Sequence, residues 1–340
     1  MSSNTKVKEM NKLSERGRAI WVLALLSPVI AELLSGSSPP LEFFNPFSFL
    51  LLLGLYGSGV LIMRELAGSW KEGWIGVLVL GAAYAILEEG VAVKSFFDPG
   101  WMDLGGLGVY GRFLGTNWVW AVWLTIFHSM ISITVPIVLV WLLYPRLRTE
   151  RLLTRRRFEI VLMLLVLDVL VCTLLLNPYV PFMPMYVLAI VAVFGLALYS
   201  RHIPRNFLMP TSLVPSWKPR KFFALGFLLI FLNFFIAGAF VNSDVPPIVP
   251  IILALTLCVA TVLLIQKHMG RTENLPQIVG LISGLLAFFV ILGIGLEMSG
   301  ILGMGVVAFV TILFIIDLNR FARGRPVFVF RVGKLLHGTL

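Results

Sequence analysis

The chain has 340 residues, of which 59% are apolar and only 13% charged, with a formal net charge of +10. Soluble domains carry about 25% charged residues, so this composition excludes a soluble globular protein. Apolar stretches of about 20 residues, the length that crosses the hydrocarbon core, recur along the whole chain. Because lipid offers backbone groups no other hydrogen-bond partners, we predict an all-α, polytopic transmembrane helical bundle.

In chain order, about ten spans are expected. They lie near 19–36, 46–64, 73–93, 117–143, 158–177, 180–199, 222–241, 248–266, 277–296 and 300–318. This divides the chain into a basic N-terminal segment, a four-span half with an outer cap loop over 94–117, a basic loop, a six-span half and a basic tail. The boundaries of the five parts are 1–18, 19–143, 144–157, 158–318 and 319–340. A cleaved signal peptide is the alternative for the first span, but the long apolar stretch and Glu32 within it favour retention.

The basic residues lie almost entirely on one side of these spans. If both termini are cytoplasmic, the inner segments hold 25 of the 27 Lys and Arg residues, and only Lys94 and Arg112 lie outside them. This is the positive-inside pattern of a multi-pass protein of the cell (plasma or inner) membrane. The positive charge then reflects topology and contact with anionic inner-leaflet lipids, so a nucleic-acid partner is not expected.

Ionisable residues at membrane depth concentrate in the first four spans. Glu32, Glu88, Glu89 and His128 all fall there, whereas the later six spans hold little beyond Asp168 and Glu297. Buried charges are costly and usually face a cavity or a partner. From the 1.5 Å rise per residue, the four groups lie at similar depths in the outer half of the membrane. We therefore expect the functional site in the four-span half and regard the six-span half as scaffold.

The fourth span adds hydrogen-bonding groups on the side of His128. Asn117, Thr125 and Ser132 are spaced so that they share its helical face. The preceding segment 94–117 has six glycines besides Arg112 and several aromatic residues, which predicts a folded cap or re-entrant hairpin rather than a helix. An ordinary aromatic belt at the interface is the alternative reading.

Two adjacent carboxyls in a low dielectric should not both ionise, so one of them is expected to hold a proton near neutral pH. We assign Glu89 as the general base, Glu88 as the group that orients it or binds metal, and His128 as metal ligand or substrate-polarising group. Glu32, Asn117, Ser132 and Arg112 are the supporting residues. The cofactor is unknown. A divalent metal held by Glu88 and His128 is one alternative.

A Glu-Glu pair late in one span and a His in the next resembles the CAAX-protease and bacteriocin-processing family of intramembrane proteases. That family has the motifs Glu-Glu-x-x-x-Arg, Phe-x-x-x-His and His-x-x-x-Asn. Here Glu88 and Glu89 match the pair and His128 the second motif, but Val93 replaces the Arg, Leu124 replaces the Phe, and the third motif has no counterpart. Within residues 84–132, the resemblance implies glutamate-activated hydrolysis of peptide bonds, with Asn117 or Arg112 as substitutes for the missing His.

Three other functions remain open. The acidic residues are also what a proton- or cation-coupled transporter needs, and Pro28 could break the first helix beside Glu32. A non-catalytic membrane scaffold would use the outer loops to hold a partner. A serine protease based on Ser58 is weaker, because Tyr56 occupies the position at which rhomboid proteases carry glycine.

Overall fold

The computed structural model describes the backbone of residues 3–272 and 274–327, and side chains from residue 14 onward. The last part of the predicted basic tail, 328–340, and residues 1–2 of the N-terminal segment lie outside the described residues. Within these limits the protein is almost entirely helical, with a single two-stranded hairpin. This confirms the predicted all-α fold.

Ten long helices follow one another along the described chain. The first, α1, is Ser3–Pro28 and continues as a π-helical turn over Val29–Leu33. The others are α2 Pro46–Trp70, α3 Trp74–Ala92, α4 Trp118–Leu143, α5 Arg155–Leu176, α6 Met183–Ser200, α7 Pro219–Ala239, α8 Ile248–His268, α9 Leu275–Met298 and α10 Met304–Ala322. In the described chain, the nine from α2 to α10 are long and apolar enough to cross a membrane.

The helices differ in how much of their surface the protein covers. The apolar windows of α3 and α4 are 67% and 61% buried, whereas those of α5 and α6 are 11% buried. Large apolar side chains such as Leu174, Leu175 and Phe194 are exposed on α5 and α6. In a polytopic protein such side chains face lipid, because the hydrocarbon chains solvate them. Helices α3 and α4 therefore lie deeper inside the bundle than α5 and α6.

Five of the described helices, α1 to α5, contain a π-helical stretch. These are Val29–Leu33, Leu53–Gly57, Ile86–Ala92, His128–Thr134 and Cys172–Leu176. A π-helical turn adds a residue to the helical circuit, which changes the direction of the side chains and often marks a functional site. Four of the five lie in the four-span half.

The outer segment between α3 and α4 is folded, as its glycines predict. It contains a 3₁₀ turn over Gly105–Gly108 and an antiparallel hairpin of Arg112–Phe113 with Thr116–Asn117. Lys94 anchors its start: the buried Nζ donates to the carbonyls of Thr173, Asn177 and Tyr179 at 2.9, 2.5 and 2.9 Å. A cation at the carboxyl end of α5 is favourable because the helix dipole is negative there. Burial lowers the pKa of the Lys94 amine, and nearby Asp98 opposes that shift.

The connection between α4 and α5 is hydrogen-bonded to the C-terminal end of α2, at the end of the bundle opposite the segment between α3 and α4. Arg64, only 2% exposed, donates to Glu65 Oε1 and to the carbonyls of Leu147 and Glu150, each at 2.5 Å. Glu65 Oε1 also accepts from the Leu152 backbone N–H at 2.9 Å. We call Arg64 and Glu65 with these partners the inner cluster. It is a paired, hydrogen-bonded network that holds the loop against the bundle.

Candidate functional site

The polar residues of the candidate site lie on the π-helical stretches of α1 to α4. Glu32 lies in the first, Tyr56 in the second, Glu88 and Glu89 in the third, and His128 opens the fourth. All five side chains are buried. We call these five residues, with Ser132, the outer cluster. The helical distortion matters most for the adjacent glutamates, because it allows both to face the same imidazole rather than diverge around a regular helix.

His128 lies between the two carboxyl groups. Its Nε2 is 2.9 Å from Glu89 Oε1, and its Nδ1 is 3.3 Å from Glu88 Oε2. The same Nδ1 is 2.7 Å from Ser132 Oγ, which lies one turn farther along α4. The predicted contact between the glutamate pair and His128 is therefore present, and Ser132 orients the ring. The assignment of catalytic roles to these residues stays a prediction.

The second oxygen of Glu89 is held by the start of the outer segment. Ser95 donates its hydroxyl to Glu89 Oε2, and Trp120 Nε1 donates to Ser95 Oγ at 3.0 Å. The Glu89 carboxyl is thus contacted from two places, by Ser95 of the outer segment and by His128 of α4. A carboxyl positioned through both oxygens is suited to a defined proton transfer.

Glu32 joins the outer cluster through a tyrosine. The Tyr56 hydroxyl donates to Glu32 Oε1, and the Ser38 hydroxyl donates to Glu32 Oε2 at 2.9 Å. The Tyr56 ring lies 6.0 Å from the imidazole of His128, measured between centroids. Ser27 on α1 also donates to the Ser132 carbonyl at 2.6 Å, which fixes α1 against α4 beside the site.

The acids of the outer cluster outnumber its bases. Among the described residues, the cluster contains three carboxyls, those of Glu32, Glu88 and Glu89, but one imidazole, and no Lys or Arg pairs with these carboxyls. Glu88 Oε2 has no hydrogen bond despite its burial, and neither has the neighbouring Tyr84 hydroxyl. Buried carboxylates without a counter-charge cost several kcal/mol each, so at most part of this set can be ionised at once. The arrangement is therefore able to hold an exchangeable proton.

The residue types of the cluster also fit a divalent metal. One donor atom each from Glu88, Glu89 and His128 lie within 4.8 Å of one another, and three such ligands are typical of catalytic zinc sites. However, the imidazole presents different nitrogens to the two carboxyls. An ion would engage one of these nitrogens with both carboxyls, and the remaining nitrogen would keep Ser132 as its outer partner.

Two of the predicted supporting residues are placed outside the contacts of His128. Asn117 caps α4, accepting from the Trp120 N–H at 3.0 Å and donating to the Leu107 carbonyl. Arg112 donates to the Phe97 carbonyl at 2.6 Å. Both organise the outer segment. Ser58 forms no hydrogen bond with His128 in the described part of the chain, where Ser132 holds Nδ1 instead.

Sequence reasoning missed Tyr56, Ser38 and Ser95. Each of these residues has a hydroxyl group and lies in an apolar helix or a loop. Its role as a hydrogen-bond donor depends on which carboxyl group lies beside it in the folded protein. A usable signal existed for Tyr56, because a tyrosine in mid-membrane needs a hydrogen-bond partner and Glu32 was the nearest predicted acceptor at that depth.

These features define a class: a polytopic integral membrane protein with a buried glutamate–histidine cluster near one end of its first four helices. The chain belongs to an uncharacterized membrane protein family, whose model matches residues 21–323. That match covers all ten helices except the beginning of α1. No curated protein and no solved structure matches the chain.

Proposed function

We propose that this protein is an intramembrane hydrolase of the plasma or inner membrane, acting on peptide bonds. The observation that carries the proposal is the position of the His128 imidazole between the carboxyls of Glu88 and Glu89 in a buried site. The resemblance of the Glu-Glu pair and His128 to the CAAX-protease and bacteriocin-processing family supports it, because those residues now lie in contact.

In the proposed reaction, Glu89 accepts a proton from a water molecule as the water oxygen forms a bond to the substrate carbonyl carbon. The carbonyl π electrons move to oxygen, where protonated His128 stabilises the negative charge. The C–N bond then breaks, and Glu89 returns its proton to the leaving nitrogen. The products are a carboxylic acid and an amine. Ser132 holds the ring through Nδ1, and the Glu88 carboxyl faces the same nitrogen at 3.3 Å.

The proposal places the cluster near the extracellular face, which the charge pattern predicts. Single cysteines at Met102 and Thr149, both exposed, test this in a chain whose Cys172 and Cys258 are replaced by serine. A membrane-impermeant maleimide added to whole cells should label position 102 and spare position 149. Labelling of 149 alone would invert the topology and place the site near the cytoplasm.

The activity is tested by comparing newly formed protein N-termini in membranes from cells that carry the wild type, Glu89→Gln or Glu42→Gln. Glu42 is an exposed carboxyl of the outer loop and supplies the matched control. Cleavage products present with wild type and Glu42→Gln, and missing with Glu89→Gln at equal protein level, are expected. Identical sets of N-termini in all three would contradict the hydrolase.

A proton-coupled transporter is the second candidate, favoured by the excess of three carboxyls over one imidazole. Such a set can bind and release a proton without any bond cleavage. Purified protein in liposomes with a trapped pH-sensitive dye would then carry protons, and Glu89→Gln would abolish the flux. Proton flux with unchanged N-termini would replace the hydrolase by this alternative.

A further inference from the structure

A small cavity lies where α4 of the four-span half meets α7 and α8 of the six-span half. Its volume is about 10 Å³, and its wall includes Val119 and Trp123 of α4, Asn233 of α7 and Ala254 of α8. Asn233 stands six residues before the outer end of α7 and Trp123 five residues after the outer start of α4. The cavity is therefore at membrane depth, in the same half of the bilayer as the outer cluster.

Two residues that line the cavity carry buried polar atoms without a partner in the described protein. Asn233 is fully buried, and both its Nδ2 and its Oδ1 lack a hydrogen bond. The Nε1 of Trp123 is buried and unpartnered as well. Lipid cannot satisfy these groups, and a buried amide without partners is strongly unfavourable. Three such atoms on two neighbouring lining residues point to a polar ligand.

The size and chemistry of the cavity select water. A single water needs about 10–15 Å³ of this kind of volume and two to four polar partners. Here the Asn233 amide supplies two donors and an acceptor, and Trp123 supplies one donor. A water can accept from Trp123 Nε1 and donate to Asn233 Oδ1, which would link the two helices by hydrogen bonds. A larger solute does not fit the volume.

Aromatic rings fill the space between these residues and the imidazole. The Phe234 ring, next to Asn233, lies 5.0 Å from the Trp123 ring and 5.9 Å from the Phe127 ring. The Phe127 ring in turn packs edge-on against His128, with centroids 5.0 Å apart. Phe127 is therefore the ring that separates this aromatic cluster from His128.

We propose that Asn233 and Trp123 bind a water molecule between the two halves of the protein, and that this water supplies the outer cluster past Phe127. The supply role rests on the proposed hydrolase, whereas the binding of water does not. The six-span half then contributes a functional residue rather than scaffold alone.

The water site is tested by hydroxyl-radical labelling with X-ray pulses, which oxidises side chains beside bound water. The wild type, Asn233→Leu, Ala254→Val and Asn233→Ser are compared in the full-length protein in detergent. Asn233→Leu removes the polar partner and Ala254→Val fills the cavity from α8, so that one of the two suffices if the other fails to fold. Asn233→Ser keeps a hydroxyl and leaves more room.

Oxidation of Trp123 is expected in the wild type and Asn233→Ser, and should fall at least threefold in Asn233→Leu and Ala254→Val. Oxidation of Trp141, at the opposite end of α4, should not change. Absence of Trp123 labelling in the wild type, or equal labelling in all variants, would overturn the water site. This readout needs no activity, so it remains decisive if the hydrolase proposal fails. Loss of labelling with an unchanged yield of cleavage products would overturn the supply role.

Discussion

The protein buries two clusters of ionisable residues, one near each end of its first four helices, and they are built differently. In the inner cluster, Arg64 has an acid partner and two carbonyl acceptors, and Glu65 also binds a backbone N–H. The outer cluster contains three carboxyls but one imidazole, which contacts two of them, and Glu88 Oε2 has no hydrogen bond.

The difference teaches how burial of charge should be interpreted. A buried pair whose donors and acceptors are satisfied stabilises a loop and has no protons to exchange at neutral pH. A set with excess acid and unsatisfied oxygens is less favourable for stability, and such sites concentrate where function requires them. We therefore assign a structural role to the inner cluster and a proton-exchanging role to the outer cluster. The following substitutions test that assignment.

The largest effect is expected for Glu89→Gln on function. Loss of a general base typically lowers a rate by about 10²- to 10⁴-fold, while the neutral amide keeps the volume and the contacts with Ser95 and His128. The yield of cleavage products, or of proton flux, should fall by this factor with the thermal midpoint in detergent nearly unchanged. A large loss of folded protein instead would assign Glu89 a structural role like that of Arg64.

The inner cluster should show the opposite behaviour. Arg64→Ala leaves the buried Glu65 carboxyl without its counter-charge and should cost about 3–5 kcal/mol of folding free energy. We expect a sharp loss of folded protein in detergent, measured by fluorescence-detected size exclusion after heating. Arg155→Ala is the control, because that side chain is 92% exposed and should have little effect. Equal stability of both variants would remove the contrast between the clusters.

Two tyrosines sharpen the comparison within the outer cluster. Tyr56 donates to Glu32, whereas the hydroxyl of Tyr84, whose ring lies 6.2 Å from that of Tyr56, has no partner. Leaving one buried oxygen of Glu32 without its donor costs about 1–3 kcal/mol, so Tyr56→Phe should destabilise. Tyr84→Phe should be neutral or stabilising. The same thermal assay measures both, and a reversed order would show that Glu32 is not held by Tyr56.

The smallest effect is expected for metal removal. Both ring nitrogens of His128 already contact protein groups, Nε2 with Glu89 and Nδ1 with Ser132. Dialysis against a chelator should change activity by less than about twofold, since the hydrogen-bonded arrangement needs no ion to position the ring. Elemental analysis of the wild type and His128→Ala provides the control. A stoichiometric metal that is lost in His128→Ala would show that the ring binds an ion.

The six-span half also differs from what its composition predicts. Its scarcity of charge indicated a scaffold, and Asn233 stands alone in the apolar run of α7. Hydropathy does not register a single amide, because one polar residue barely changes the mean over a span. The position of Asn233 beside Trp123 depends on how α7 packs against α4, which no local pattern contains.

Residue order alone is enough to establish the class of the protein and the helical elements of its fold. The length of each apolar segment and the positions of Lys and Arg can be read directly along the chain. A bilayer forces apolar segments of that length into helices, because their backbone groups find no other hydrogen-bond partners in lipid. The depth of Glu32, Glu88, Glu89 and His128 also follows from counting residues at 1.5 Å each.

Which of these groups are in contact depends instead on how the helices pack against one another. The π-helical stretches at Ile86–Ala92 and His128–Thr134 change the directions of the side chains, so a regular helical face drawn from spacing does not apply there. Asn117, predicted on the face of His128, instead caps α4. Hydrogen-bond partners such as Tyr56 for Glu32 come from different helices, and their pairing is fixed by packing between segments far apart in the chain rather than by any local property of those segments.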